Sequence, residues 1–391
     1  MMAQSLAQDL LRRRVPQVPV LCVARALPLA LSIVLLSSLP PGRLLAQEAE
    51  GEEEVEPKRS GLIPIPVLSY TPETKFAFGV AAQYYYRPEG ADAGARPSTI
   101  TPLFIYTTKK QIIAEFYSSL WWAQEEYHLT GNAGYTKFPD KFYGIGNDTS
   151  EDDEEDYTPR YTRLRADIQR RIVSEFRLGL GYEFEYSELE EVEEGGVLDS
   201  GDILGSEGGV VSGATILASW DTRDNIFSPS SGHYHQLSVG LYGDAIGSDY
   251  EFGRYVLDLR GYINTLPDHV LALQGYLGLE TGDPPFQHLL LFGGQDLMRG
   301  HYQGRFRDEN MFVVQAEYRI VPIWWRFGAV AFAGFGDVAD EPSSFNLGDF
   351  KYSVGGGIRF LLNRAERIAL RFDFGFGEGT SGFYITLGEA F

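Results

Sequence analysis

Residues 291–308 read LFGGQDLMRGHYQGRFRD, and this stretch decides how the rest of the chain is interpreted. It joins two alternating segments, 270–279 and 310–320, although most hairpin connections need only a few residues. A connection this long, with several glycines and an arginine, is expected to fold against another part of the protein. If the flanking segments are barrel strands, the nearest surface is the polar lumen, where Arg299 would need a carboxylate partner. The alternative is an ordinary solvent-exposed loop.

From Leu62 to Phe391 the chain alternates with the period of two that is typical of half-buried β-strands. Large apolar side chains occupy one face of each segment, and small or polar side chains occupy the other. We count about sixteen segments, an even number, as in single-chain bacterial barrels. Their approximate cores are 63–70, 75–87, 99–108, 110–122, 126–137, 158–170, 175–187, 209–221, 232–244, 250–263, 268–280, 310–321, 326–337, 350–361, 367–376 and 382–391.

A soluble barrel or sandwich would show the same alternation in one dimension. Three observations favour a transmembrane barrel: an export signal, segments near ten residues long, and aromatic pairs at segment ends such as Trp121-Trp122 and Trp324-Trp325. If both termini are periplasmic, the long acidic insertions 148–156 and 187–208 lie outside, and short turns such as 266–269 lie inside. We therefore predict an all-β fold, a transmembrane antiparallel barrel of about sixteen strands with a long loop folded into its lumen.

Residues 1–46 have the composition of a cleaved signal peptide, with basic residues before an apolar run, Ala26–Leu36. That run is too short for a transmembrane helix, which needs about 20 apolar residues. Residues 47–61 are acidic and poor in apolar side chains, which predicts a disordered linker. The barrel domain is then expected to occupy residues 62–391. The single cysteine, Cys22, falls inside the predicted signal peptide.

The chain is strongly acidic. Its formal charge is −21, and removing residues 1–46, which hold five arginines and one aspartate (net +4), changes this to −25. Nucleic acid is therefore not an expected partner, because binding it requires a basic surface.

Three stretches resemble the BamA/TamA-type outer-membrane assembly factors, the bacterial surface antigen family. The first holds Gly293-Gly294 and Met298-Arg299-Gly300-His301-Tyr302, which is similar to the family's inward-folded loop with its Arg-Gly-aromatic hallmark. Here His301 separates Gly300 from Tyr302, which displaces the aromatic by one position. The others are Trp220–Asn225 and Phe142–Asn147. Family members carry periplasmic N-terminal domains, and we expect this chain to be a short form without them.

The resemblance implies that the loop arginine pairs inside the barrel with the acid of a Phe-x-Asp motif, which Phe335-Gly336-Asp337 matches. We predict that Arg299 reaches Asp337, with Glu317 as alternative or additional acceptor. This places Asp337 on the lumen face of its strand with Ala329, Ala331 and Ala333. A bidentate guanidinium–carboxylate pair would fix the direction of the loop as well as its charge. The alternative is that these side chains merely line a watery channel.

The end of the sequence resembles the C-terminal signal by which outer-membrane barrels are recognised for insertion. Phe383, Ile385, Leu387 and Phe391 lie on one predicted face, with Glu389 as the exception. At the other end of the domain, Pro64 and Pro66 each remove a hydrogen-bond donor from the first strand. We therefore expect a weakly bonded seam between first and last strands.

No catalytic or cofactor-binding constellation is evident in the sequence. His233-x-His235 would direct two rings to one face of a strand, but no third metal ligand accompanies them. The acidic run 151–156 lacks the spacing and glycine of a defined calcium loop, which favours a solvated outer loop. We predict neither an enzyme nor a metal or cofactor site.

By resemblance, the expected protein lies in the outer membrane of a Gram-negative-type bacterium, surrounded by lipid. It would assist insertion or translocation of other proteins, with unfolded outer-membrane or secreted proteins as clients and periplasmic proteins as partners. The alternative is a channel-forming or structural barrel that retains the lumen loop but handles no clients.

Overall fold

The alternating segments form one antiparallel sheet that closes on itself in a computed structural model of the chain. The structure describes residues 59–87, 96–364 and 367–391. The predicted signal peptide and almost all of the predicted linker lie outside the described residues. The strands are β1 (Ser60–Thr71), β2 (Lys75–Tyr86), β3 (Ser98–Thr107), β4 (Ile112–Trp122), β5 (Tyr127–Lys137), β6 (Asp140–Phe142), β7 (Glu155–Val173), β8 (Phe176–Val192), β9 (Gly209–Asp221), β10 (Gly232–Tyr242), β11 (Phe252–Leu266), β12 (His269–Gly282), β13 (Leu290–Phe292), β14 (Phe306–Asp308), β15 (Asn310–Trp324), β16 (Phe327–Ala339), β17 (Lys351–Asn363), β18 (Ile368–Gly377) and β19 (Ser381–Leu387).

Sixteen of these strands form the barrel wall, which confirms the predicted fold and strand number. Of the other three, β6 extends the wall by pairing with the start of β7. The last two, β13 and β14, pair only with each other, as a small hairpin between β12 and β15. Most observed boundaries agree with the predicted ones, but the last strand ends at Leu387 and not at Phe391.

The faces of the wall distinguish a membrane barrel from a soluble one. On β8, Leu180 is 64% exposed on the outside, whereas Glu185 is 3% exposed on the inside. A water-soluble barrel would bury the large apolar set and expose the carboxylates. The apolar outer face and charged lumen are those of an outer-membrane barrel. Within the described residues no helix is both long and apolar enough to cross a bilayer.

The connections are unequal at the two ends of the barrel. The long segments 138–154, 193–208 and 283–309 share one end, and the opposite end has tight turns such as 174–175 and 267–268. Long loops outside and short turns in the periplasm are the usual arrangement, so we name these the outer and inner ends. At the inner end Trp324 stacks on Phe327 at 6.1 Å, as part of an aromatic rim.

An apolar cluster closes the outer end. It contains Phe142, Tyr157, Leu198, Phe286 and Leu289. The acidic run was predicted to be a solvated loop, but Glu155 is buried here, where its carboxylate accepts hydrogen bonds from the backbone N–H groups of Val197 (2.6 Å) and Leu198 (3.2 Å). This carboxylate therefore holds loop 193–208 over the opening.

Candidate functional site

Residues 283–309, which we call the lumen loop, run from β12 into the barrel and back to β15. The hairpin of β13 and β14 pairs Leu290 with Asp308 and Phe292 with Phe306. Apolar side chains of the loop pack against the inner wall in one cluster, which contains Val256, Tyr276, Leu290, Phe292, Met298, Phe306, Met311, Val313 and Val338. The predicted inward folding of this loop is confirmed, and its apolar residues explain it.

At the tip of the lumen loop, the loop backbone lies in direct contact with the backbone of β18. Gly293, Gly294 and Gly300 all have positive φ, a region that side chains rarely adopt. A Cβ atom on Gly300 would lie 2.7 Å from the carbonyl carbon of Phe376, and one on Gly375 would lie 2.5 Å from the carbonyl oxygen of Arg299. The two glycines therefore allow loop and strand backbones to touch.

Arg299 is 1% exposed, and its guanidinium binds two carboxylates, Glu317 on β15 and Asp373 on β18. It also lies over the ring of Phe332, 3.6 Å from the ring centre. These two carboxylates raise the pKa of Arg299, against the opposing effect of burial. The loop arginine is thus fixed on three sides by the lumen wall.

The predicted pair between Arg299 and Asp337 was wrong. The inward side chains of β16 include Val330 and Phe332, both buried, whereas Asp337 shares the outward parity of Phe335, which is 44% exposed. Asp337 itself is buried, because it lies beyond the exposed part of the strand and contacts Asn147. A shift of one residue moves every side chain of a strand to the other face, so the assignment of the alanines to the lumen inverted this strand.

Asp337 also lies at a different height in the barrel from Arg299. It stands opposite Phe312, five residues along β15 from Glu317, or about 17 Å at the usual rise of a strand. Its Oδ2 accepts a hydrogen bond from Nδ2 of Asn147 at 3.0 Å. Two stretches that the resemblance singled out therefore meet each other at the outer end.

The second acceptor, Asp373, was missed by the sequence prediction. A signal for it was present, because Arg371 and Asp373 both belong to the polar set of the last alternating segments. In the wall β16 and β17 separate β15 from β18, and the loop inserted into the lumen lets one guanidinium bridge them. Glu317, the alternative acceptor, lies on the inward face of β15 as expected and is fully buried.

The tip of the lumen loop contacts both sides of the seam between β1 and β19. The N–H of Gln303 donates to Oε1 of Glu73, in the β1–β2 turn, at 2.9 Å. The N–H of Gly300 donates to the hydroxyl of Tyr384, on β19, at 3.0 Å. Further out, Tyr302 donates its hydroxyl hydrogen to Asp140 at 2.6 Å, and burial raises the pKa of both Tyr302 and Glu73.

The seam itself is short. Within the described residues β1 and β19 pair only at Tyr70 opposite Ile385, whereas β1 and β2 pair along their full length, from Ser60 opposite Tyr86 to Thr71 opposite Lys75. Most of the free edge of β1 therefore has no strand partner on the seam side.

The predicted common face of the last residues is only partly correct. Phe383 is 39% exposed on the outer face, and Ile385 has the same parity. At Gly388, with φ +80°, the backbone turns, and Phe391 packs inside the barrel with Tyr262 and Ala272. A left-handed glycine thus ends the alternation three residues before Phe391.

Two carboxylates at the base of the lumen loop titrate in an unusual range. Burial and neighbouring carboxylates, including Asp340, raise the pKa of Asp308 to about 6 and that of Glu309 to about 7. The folded state therefore retains protons that the unfolded chain releases from about pH 4 upward. These groups stabilise the loop base fully below that pH, and their contribution falls as the pH rises towards 7.

We expect the urea midpoint of the barrel to be higher at pH 5 than at pH 8, and the difference to shrink in Asp308→Asn/Glu309→Gln. The measurement is a urea titration followed by tryptophan fluorescence at both pH values. Asp202→Asn, which changes an exposed outer-loop carboxylate, is the control and should keep the wild-type difference. An unchanged pH difference in the double variant would contradict the assignment.

The histidine pair lies on the outer face of a single strand, β10, near the inner end. The rings of His233 and His235 stack at 4.6 Å, beside Trp220, and Nδ1 of His233 lies 3.1 Å from the hydroxyl of Thr222. The described part of the chain has no group of three or more histidine, cysteine or acidic side chains placed to hold a metal ion.

A profile of the Omp85 superfamily domain matches residues 101–391. The outer membrane protein assembly factor BamA of Nitratidesulfovibrio vulgaris is 28% identical over 245 residues, covering 55% of this chain and 30% of the length of that relative.

Among solved structures, BamA from Haemophilus ducreyi lacking POTRA domains 1–3 superposes with a TM-score of 0.58 at 13% identity, covering 84% of this chain and 70% of the other. CdiB from Acinetobacter baumannii gives a TM-score of 0.54 at 12% identity, covering 84% and 59%. At such identities the structural likeness concerns the barrel fold.

Proposed function

The chain belongs to the Omp85 superfamily, and we therefore propose that it assists insertion or translocation of other proteins at the outer membrane, through the seam between β1 and β19. The family and the barrel fold place it in the outer membrane of a Gram-negative bacterium. Its proposed clients are unfolded outer-membrane or secreted proteins, and periplasmic proteins are proposed partners. The outward side chains of β19, including Phe383, are proposed to serve as its own insertion signal.

The short seam is the observation that carries this proposal. A closed barrel protects every backbone N–H and C=O group in the bilayer by pairing it with a neighbouring strand. Because β1 and β19 pair at one position, Tyr70 opposite Ile385, the edge of β1 retains unpaired groups along most of its length. A client strand can satisfy them by adding to this edge.

The prolines of β1 keep the seam weak. Pro64 and Pro66 are two residues apart, so the two positions that lack an N–H face the same edge of the strand. The ladder between β1 and β2 is continuous through both prolines. The missing donors therefore belong to the seam edge, where proline is tolerated.

The lumen beside the seam supports the same proposal. Inward side chains of β1, β3 and β4 form a buried apolar cluster that includes Ile65, Val67, Leu103, Ile105 and Ile113. Elsewhere the lumen wall carries charged pairs such as Arg254 with Glu280. The lumen loop occupies the interior, which does not favour the alternative of an open channel.

A disulfide across the seam tests the proposed function. In a Cys22→Ser background, Leu68→Cys and Leu387→Cys stand opposite each other if the register of Tyr70 and Ile385 continues by two residues. We expect the oxidised barrel in liposomes to lose its acceleration of the insertion of a urea-unfolded client barrel, and reduction to restore it.

The matched control is Leu68→Cys with Phe78→Cys, an opposed pair within β1 and β2 that leaves the seam free. Its oxidation should not change the insertion rate. If the seam-locked barrel inserts clients as fast as its reduced form, the proposed route is wrong.

A further inference from the structure

Six buried charged side chains inside the barrel form a closed ring of ion pairs. Around the ring they are Arg299, Glu317, Arg319, Glu389, Arg359 and Asp373. Arg319 lies 2.8 Å from Glu317 and 3.9 Å from Glu389, and Arg359 lies 2.7 Å from Glu389. None of the six side chains is more than 2% exposed.

Two members of this ion ring lie outside the wall strands, and the other four lie on the wall strands β15, β17 and β18. Arg299 is at the tip of the lumen loop, and Glu389 is in segment 388–391, which follows β19 at the seam. Two separate paths join them, one through Glu317 and Arg319 and the other through Asp373 and Arg359. The ring holds three positive and three negative charges, and buried Arg371 adds a fourth positive charge 3.5 Å from Asp373. Losing either Arg299 or Glu389 therefore changes the charge that the other buried members experience.

Segment 388–391 has a second place that it could occupy. If β19 continued in the register of Tyr70 opposite Ile385, Glu389 would stand opposite Pro66 with the outward parity of Ile385. A carboxylate on the lipid side of a barrel strand is unfavourable, and Pro66 offers no N–H to a partner strand. The turn at Gly388 instead directs Glu389 into the ring, where it is 1% exposed.

Further contacts keep the segment inside. The carbonyl oxygen of Phe391 accepts a hydrogen bond from Arg319 at 2.8 Å, and the guanidinium of Arg319 lies 5.3 Å from the centre of the Phe391 ring. Arg319 thus binds segment 388–391 and, through Glu317, the loop arginine. A shift of the loop must change the charge that Arg319 and Arg359 experience.

From this geometry we propose that the lumen loop controls the length of the seam. With Arg299 in the ring, segment 388–391 stays in the lumen and the edge of β1 stays free. When the loop leaves, the ring loses a positive charge, Glu389 is held less tightly, and the segment can extend along β1. The proposal concerns the position of segment 388–391 and not the insertion of clients, so the two are tested by separate experiments.

Coupling between two sites is reciprocal, which gives the test two arms. In a Cys22→Ser background, Ala390→Cys reports the position of segment 388–391, because Ala390 is 7% exposed and should react slowly with a bulky polyethylene-glycol maleimide. Adding Arg299→Gln should raise the alkylation rate about tenfold, within the usual range of about 5–150-fold for coupled sites. Arg305→Gln is the matched control, since this loop arginine binds Thr149 and lies outside the ring.

The second arm of the test measures the accessibility of the lumen loop. Met298→Cys, at a position with no exposure, should be alkylated faster when Glu389→Gln is added, and by the same factor as in the first arm. Heat-modifiable migration on gels checks that each variant is a folded barrel. If the variant of one arm does not fold, the other arm still tests the proposal. Alkylation rates equal to those of the parent thiol variants, in folded barrels, would overturn the proposal.

Discussion

Replacing Arg299 with alanine is expected to convert small, flickering currents through the barrel into a large and steady conductance. The guanidinium is the contact that joins the lumen loop to both Glu317 and Asp373. Removing one partner of a buried ion pair costs roughly 3–5 kcal/mol. The wall should survive, because Arg319 still binds Glu317, and Arg359 still binds Asp373. The measurement is single-channel recording of the refolded barrel in a planar bilayer.

Asp337→Ala is the matched comparison for this experiment. Its carboxylate holds Asn147 and makes no ion pair with Arg299, so its currents should stay close to those of the wild type. Equal, large and steady currents in wild type and both variants would show that the loop does not block the lumen. Small wild-type currents that become large in both Arg299→Ala and Asp337→Ala would instead support the pairing expected from sequence.

The second large effect is expected from a single methyl group, in Gly375→Ala. The added Cβ would lie 2.5 Å from the carbonyl oxygen and 2.6 Å from the carbonyl carbon of Arg299. Both are backbone atoms that cannot rotate away, so strand or loop must move. Overpacking of this kind costs about 1–3 kcal/mol, and here it destabilises the contact between the lumen loop and β18. We expect Gly375→Ala to show the same large, steady conductance as Arg299→Ala and a lower urea midpoint than the wild type.

Gly275→Ala gives the control, because a Cβ at Gly275 meets no atom within 4 Å. Both glycines lie inside barrel strands, so the two variants share any change in strand propensity. Gly275→Ala should conduct as the wild type does. If Gly375→Ala also shows wild-type currents and stability, the close contact between β18 and the loop is not essential to its position.

Together, these experiments separate two roles of the lumen loop. Conductance reports whether it fills the lumen, and alkylation of segment 388–391 reports whether it is coupled to the seam. In the proposed coupling, the edge of β1 stays free for a client strand while the loop is seated in the lumen, and the seam lengthens when the loop leaves. That link joins the proposed function to the ion ring.

The positions of the strands could be predicted accurately from the sequence, but the face of each strand that points into the lumen could not always be predicted. On β15 the inward direction of Glu317 was predicted correctly, because charged residues are typical of the lumen face. On β16 the side-chain pattern was misleading, because the small alanines lie on the outer face and Phe332 lies on the inner face, under the guanidinium of Arg299. An aromatic ring can face the lumen when a buried cation covers it.

By itself, the sequence determined the membrane barrel, its sixteen strands, the end that carries the long loops and the inward-folded loop with its arginine. These follow from period-two alternation and loop length, which are local properties of the chain. The tertiary structure decided which carboxylates meet Arg299 and where segment 388–391 lies. Asp373 is 74 residues from Arg299, and the insertion of the loop into the lumen brings them together. The left-handed turn at Gly388 then overrides the alternation, because it moves a carboxylate from the lipid face into a ring of opposite charges.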